Sequence, residues 1–292
     1  MLLIMLLLSL CGLLFRDFFA QLKSYVVYML AFVMLSMGIS LTKEDFAEVF
    51  KRPLRIAYAG LLHFSIMPLL GYALGRLLYA GEEILYGAVL VGTAPSGTAS
   101  NVITYLSRGD LAYSVSATAF STLLSPIATP LLTYLLIGHR VEVPLISMFK
   151  DLLLITLIPV LSGLTLRYLF PKILQLERFL PYMAVFFIGV IIAVVLSLNV
   201  EKLEELSLKV FLIVLLHNLL GFALGYAFGR LAGLDRRLSK TLSIEVGMQN
   251  SGLATLLALK YFSPLVALPA ALFSLLQNLN GILLSLFYRR VE

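Results

Sequence analysis

The sequence predicts an all-α polytopic membrane protein. Ten transmembrane helices form two inverted five-helix repeats, with crossed discontinuous helices at positions 4 and 9. Three observations carry the prediction: a composition too apolar for a water-facing surface, a row of uncharged segments of spanning length, and an internal duplication. Hydrophobic residues make up 60% of the 292 residues and charged residues 13%, with a mean hydropathy of +0.98. A soluble domain carries about a quarter of its residues as charges, so lipid must cover much of this surface. A spanning helix needs about 20 apolar residues. Nine uncharged runs meet or approach that length: 1–15, 24–42, 56–75, 84–107, 111–138, 152–166, 179–200, 210–229 and 261–288. A tenth, 241–259, is interrupted only by Glu245. The first run has no basic start and no small-x-small cleavage site before Arg16, so it reads as a short first helix rather than a signal peptide.

The duplication fixes the architecture. Tyr28-Met29 recurs as Tyr182-Met183, Leu61-Leu62-His63 as Leu215-Leu216-His217, and the run from Gly71 to Arg76 as Gly225 to Arg230. Val91-Gly92, Ser96-Gly97 and Ala99-Ser100 recur as Val246-Gly247, Ser251-Gly252 and Ala254-Thr255. Collinear matches at a near-constant offset mark two halves, 1–142 and 143–292. Five spans per half is an odd number, so the second half crosses the membrane in the opposite sense, as in many secondary transporters. Of the 22 Lys and Arg residues, 14 gather on one side and 8 on the other. The positive-inside rule then puts both termini in the cytoplasm of a cell inner or plasma membrane. The net charge of +6 sits in short loops between apolar runs. It serves topology, not nucleic acid. Cys11 is the sole cysteine, which excludes an intrachain disulfide.

Two spans differ from the rest. The fourth contains Val91-Gly-Thr-Ala-Pro95-Ser-Gly-Thr-Ala-Ser-Asn101, and the ninth Glu245-Val-Gly-Met-Gln-Asn-Ser-Gly252. Proline removes an amide donor and glycine permits non-helical dihedrals, so both spans are expected to break in mid-membrane. Unwound backbone there is tolerated only where protein or a watery cavity surrounds it. Carbonyls at the ends of the first half-helices suit a cation, and amides at the starts of the second, at 98–100 and 250–252, suit an anion. An acid at mid-span costs roughly 2.5–3.5 kcal/mol, so Glu245 reads as a buried cation ligand ahead of a snorkelling acid near Lys240. Ser100, Asn101, Ser114, Thr118 and Gln249 add oxygens, which a hard cation such as sodium prefers. His63 and His217 occupy equivalent places, as hydrogen-bonded core residues or as proton carriers. An intramembrane enzyme is the alternative from another class. No HExxH motif is present, the histidines are only His63, His139 and His217, and no second acid lies in a span beside Glu245.

At Gly97-Thr-Ala-Ser-Asn101, Gly109-Asp-Leu-Ala-Tyr-Ser-Val115 and Glu245-Val-Gly-Met-Gln-Asn-Ser-Gly-Leu253 the sequence resembles the bile acid:sodium symporter family, over Tyr25 to Gly281. The resemblance implies a panel of helices 1, 2, 6 and 7 (1–52 and 143–205) against a core of helices 3–5 and 8–10 (53–142 and 206–292). It implies one sodium site from Ser100, Asn101, Ser114, Thr118 and Glu245. A second would use His63, Glu245, Gln249 and the carbonyls of Val246 and Met248. His63 stands where the family pattern has Gln. Substrate would meet Thr98, Asn250, Gln277 and Asn278, the last two standing where the pattern has His-Asn. The implied activity is sodium-coupled symport of a small organic anion, bile-acid-like or another carboxylate, by alternating access. The implied partners are the substrate, sodium ions and the lipid bilayer, with no cofactor and no obligate protein partner. Proton coupling through Glu245 and His63, and uncoupled passage, are the alternatives within transport.

Overall fold

The computed structural model describes residues 2–44 and 51–290, with side chains throughout except at 203–207. Met1, the 45–50 stretch of the expected panel and residues 291–292 lie outside the described residues. The regular structure is helical: α1 (Leu2–Leu14), α2 (Arg16–Gln21), α3 (Val26–Ser40), α4 (Pro53–Leu78), α5 (Glu82–Thr93), α6 (Ala99–Leu106) and α7 (Leu111–Ile137). The chain continues with α8 (Leu145–Leu152), α9 (Ile158–Leu169), α10 (Leu180–Leu198), α11 (Val200–Leu231), α12 (Arg236–Gly247), α13 (Ser251–Tyr261) and α14 (Pro264–Arg290). A 3₁₀ turn joins α2 to α3, and a π turn at Leu153–Leu157 joins α8 to α9.

Among the described residues, seven helical segments are long and apolar enough to cross a bilayer: Arg16–Ser40, Pro53–Leu78, Leu111–Ile137, Leu145–Leu169, Leu180–Leu198, Leu208–Leu231 and Pro264–Arg290. Leu2–Leu14 is a shorter apolar helix. The expected fourth and ninth spans do not appear as single helices; each is divided, into α5/α6 and α12/α13. The sixth span starts at Leu145, seven residues before the uncharged run 152–166. Lys150 and Asp151 had cut that run short. Inside the fold Asp151 is neutralised by Lys260 Nζ at 2.5 Å, so it tolerates a helical position beside apolar neighbours.

Local chemistry explains how these helices start and survive their prolines. Asp110 caps α7 by accepting from Tyr113 N at 3.0 Å, and Asp235 caps α12 through Leu238 N at 2.8 Å. Pro126 lies inside α7 and leaves the carbonyl of Thr122 without its helical donor. The hydroxyl of Ser125 donates to that carbonyl at 2.8 Å, the repair by Ser and Thr that membrane helices use.

The helices gather into two sets. In one, α1 packs on α10, and α3 packs on α9 and α10. A Cβ on Gly38 of α3 would lie 2.0 Å from Val160 O of α9, so only glycine allows that approach. In the other set α4 packs on α5, α7 and α11, α11 on α12, and α14 on α5 and α13. The exterior is apolar, with Leu61, Leu77, Leu135 and Leu231 exposed, while Ser, Thr, Gln and Glu side chains fill the centre. Polar contacts also join the sets. Asp151 of α8 accepts from Lys260 and Tyr261 of α13, Asn199 Nδ2 donates to Pro264 O at 2.9 Å, and Asn250 Nδ2 lies 3.6 Å from Met34 Sδ.

A candidate ion and anion site at two helix breaks

The interruptions of α5/α6 and α12/α13 lie against each other. Ser96 and Gln249 form an isolated antiparallel bridge, in which Gly97 N donates to Met248 O at 3.1 Å and Asn250 N to Pro95 O at 2.8 Å. Pro95 supplies no donor there, and Gly97 supplies the room: a Cβ on it would stand 2.5 Å from Gln249 O. The carbonyls that α12 leaves unpaired at its end lie against polar groups. Glu245 O meets His63 Nδ1 at 3.0 Å, Val246 O accepts from Gln249 Nε2 at 2.9 Å, and Gly247 O accepts from Asn218 Nδ2 at 2.8 Å.

Glu245 is 2% exposed and sits in a cage of oxygens. Ser114 Oγ donates to its Oε1 at 2.5 Å, and Ser96 Oγ and Thr118 Oγ1 donate to its Oε2 at 2.8 Å each. Behind them, Ser100 Oγ lies 3.2 Å from Thr118 Oγ1, and Asn101 Oδ1 lies 2.9 Å from Ser114 Oγ. All five residues expected to form the first ion site are therefore brought together. They come from α6, α7 and α12. Among the described residues no basic side chain pairs with the carboxylate. Each hydroxyl has one hydrogen and two lone pairs. With the hydrogens of Ser114, Ser96 and Thr118 committed to Glu245, the cage holds more acceptors than donors. That composition fits a hard cation. Ser96 and Thr104, whose Oγ1 is 3.2 Å from Ser114 Oγ, belong to the cage but were not expected. Spacing held the clue for Thr104, four residues after Ser100 on one face of α6.

The second expected set is only partly free to bind. His63 is 2% exposed. Its Nε2 lies 2.9 Å from Ala94 O, as its Nδ1 does at 3.0 Å from Glu245 O. Val246 O and Met248 O are engaged as above. Gln249 Oε1 is buried without a hydrogen-bond partner. His217, the repeat equivalent of His63, serves elsewhere: its Nε2 pairs with Met67 O at 2.8 Å.

On the anion side, the amides of Ser100 and Asn250 are already spent on Gly97 O and Pro95 O. Those of Thr98, Ala99, Ser251 and Gly252 have no hydrogen bond to a described residue, so the available donors form a narrower set than 98–100 and 250–252. Thr98 is half-buried at the start of α6. Asn250 caps α13 through Leu253 N at 3.1 Å, leaving its amide nitrogen toward Met34 of α3. Gln277 is hydrogen-bonded to the break. Its Oε1 accepts from Gln249 N at 2.8 Å, and its Nε2 donates to Gln249 O at 3.0 Å and Ser251 Oγ at 3.1 Å. It clamps the break. Asn278 Nδ2 bonds back to Ser274 O at 2.7 Å within α14. Asn218 and Asn280, joined at 2.8 Å, support the same break from behind and were not anticipated.

With that geometry in place, comparison with known proteins is informative. The model of the sodium bile acid symporter family matches residues 27–206. The chain is similar to the uncharacterized sodium-dependent transporter YocS of Bacillus subtilis (strain 168), at 38% identity over 96% of this chain and 87% of YocS. It is 38% identical to the probable sodium/metabolite cotransporter BASS1, chloroplastic, of Oryza sativa subsp. japonica, over 89% of this chain and 64% of that protein. The Arabidopsis thaliana protein of the same name is 35% identical over 91% of this chain and 67% of its own length.

Proposed function

Because this chain belongs to the sodium bile acid symporter family, whose members are sodium-dependent transporters of the membrane and not enzymes, we propose that it carries a small organic anion inward on the sodium gradient. The single observation that carries this reading is the oxygen cage around Glu245, set within 3 Å-scale contacts of Ser96, Ser114 and Thr118. Sodium enters the cage first and neutralises the carboxylate. That draws α6, α7 and α12 into one arrangement. The amides of Thr98, Ala99, Ser251 and Gly252 then accept a carboxylate at the positive ends of α6 and α13. The names of the plant relatives, sodium/metabolite cotransporters, favour a metabolite carboxylate as substrate.

The fold behind this mechanism is ten spans in two inverted halves. The set α1–α3 with α8–α10 acts as a panel, and the set α4–α7 with α11–α14 as a core. Both termini lie in the cytoplasm. Supporting this reading are the two broken helices at equivalent places in the repeats, their antiparallel contact, and the grouping of the helices into two sets. Rocking of one set against the other exposes the breaks to each side of the membrane in turn, and the Met34–Asn250 contact lies on the surface that must part.

The test needs no substrate. Purified protein is melted in sodium and in potassium, with Glu245→Ala beside it. A ligand at 100 times its Kd stabilises by about 2.7 kcal/mol, a readable shift. Sodium-specific stabilisation of the wild type, absent from the variant, supports the reading. Coincident wild-type melts in the two salts sink it and point to proton coupling.

A further inference from the structure

We infer that the imidazole of His63 does, at the junction of the two first half-helices, what an ion would otherwise do there, so that each chain binds a single sodium ion. The inference rests on the sodium reading of Glu245 given above. α5 gives way at Ala94, and α12 ends two residues after Glu245. The last carbonyls of a helix together carry about half a negative charge. Two such ends that converge in a membrane interior repel each other and leave lone pairs without donors. Something positive or hydrogen-bearing has to stand between them.

The ring of His63 stands there. It spans from Ala94 O, 2.9 Å from Nε2, to Glu245 O, 3.0 Å from Nδ1. A neutral imidazole carries one N–H, so one of the two oxygens accepts from the ring and the other faces its bare nitrogen; in either tautomer the ring fills the space between them. The other carbonyls of the junction are also engaged: Thr93 O by Thr129 Oγ1 at 2.6 Å, Val246 O by Gln249 Nε2 at 2.9 Å, and Met248 O by Gly97 N at 3.1 Å. Gln249 Oε1 and the carbonyl that faces the bare ring nitrogen are the oxygens left over there, and a hard cation takes about six oxygens or more. Two oxygens do not make a shell. The side-chain cage of Glu245 keeps its own oxygens, because His63 touches only the backbone of that residue. His63 is thus a positioning residue that ties α5 to α12 and sets the ion count.

The experiment is equilibrium binding of radioactive sodium to the purified full chain in detergent, counted per chain at saturation. The wild type binds one ion. His63→Gln, which withdraws the ring and offers an amide oxygen, binds two; His63→Asn serves the same purpose if the first variant does not fold. Two ions in the wild type overturn the inference and leave the Glu245 reading intact. One ion in both wild type and a folded variant overturns the role of the ring. No saturable sodium in the wild type overturns the Glu245 reading itself, and this inference with it.

Discussion

Replacing Ser114 by alanine isolates one oxygen of the cage. Ser114 Oγ donates to Glu245 Oε1 at 2.5 Å, whereas Oε2 accepts from both Ser96 and Thr118. The change removes no backbone bond and leaves a cavity of one oxygen atom, so the helices α7 and α12 keep their contact. A hydrogen bond or ligand contact to a charged group is worth about 1.5–3 kcal/mol. At about 1.4 kcal/mol per tenfold, Ser114→Ala weakens sodium by about ten- to a hundredfold. The same carboxylate also loses a donor on one side, so the sodium-free protein melts lower. The assay is the sodium concentration at half-maximal stabilisation in a melting series, repeated with Ser116→Ala. Ser116 Oγ donates to Ala112 O at 2.7 Å within its own helix. Sodium affinity unchanged in Ser114→Ala, or lowered equally by Ser116→Ala, contradicts the ion-cage account.

Other outcomes follow from the same contacts. Gly97→Ala places a Cβ 2.5 Å from Gln249 O and forces the two breaks apart; overpacking of this kind costs about 1–3 kcal/mol, and uptake by proteoliposomes is lost while the protein still inserts. Gln277→Leu strips both hydrogen bonds from the backbone of Gln249; each buried group left unpaired costs about 1–3 kcal/mol, so the melting point drops and Gln277→Glu, which keeps an acceptor, recovers part of it. The Asp151–Lys260 pair is partly exposed, with side chains 15% and 45% accessible. A double-mutant cycle of Asp151→Asn and Lys260→Gln therefore yields a coupling of only about 0.5–1 kcal/mol. Joining Asp151→Cys to Lys260→Cys with a short thiol cross-linker, in a Cys11→Ala background, stops uptake if the two helix sets must part at this end; undiminished uptake contradicts their relative motion.

The parts of this molecule legible in its sequence are those where a residue type is costly in its surroundings. Pro95 in an apolar run and the glycines around it announced a break, and Glu245 announced a site because a lone acid in a span demands a reason. Ser114 and Thr118 followed from helical spacing on α7. What stayed hidden depends on which helix faces which. Ser96 reaches Glu245 across a sequence separation of 149, and nothing local to Ser96 distinguishes it from the other hydroxyls of its segment. Gln277 stood out only through the family resemblance, as a substrate residue; its hydrogen bonds to the backbone of Gln249 depend on helices far apart in the chain. The start of the sixth span was misplaced because Lys150 and Asp151 look unfit for a helix that continues into lipid, until the partner on α13 is known. Asn218 and Asn280 were passed over for the same reason: each is satisfied by a helix distant in the chain.

The mutual dependence of the two breaks bears on how the protein is made. The first break cannot complete itself. Gly97 N waits for Met248 O, Ser96 Oγ for Glu245, and one side of His63 for the carbonyl of Glu245. Those partners are translated some 149 residues after Ser96. At about 5–20 residues per second, the wait is on the order of ten seconds. During that interval the nascent first half holds unpaired amides and carbonyls at bilayer depth, where lipid offers them nothing. The early helices therefore stay beside the insertion machinery, or keep water with them, until α12 arrives. A ribosome stalled just before residue 245 leaves an intermediate that a membrane protease should recognise, and one stalled beyond residue 281 leaves a chain whose breaks are closed.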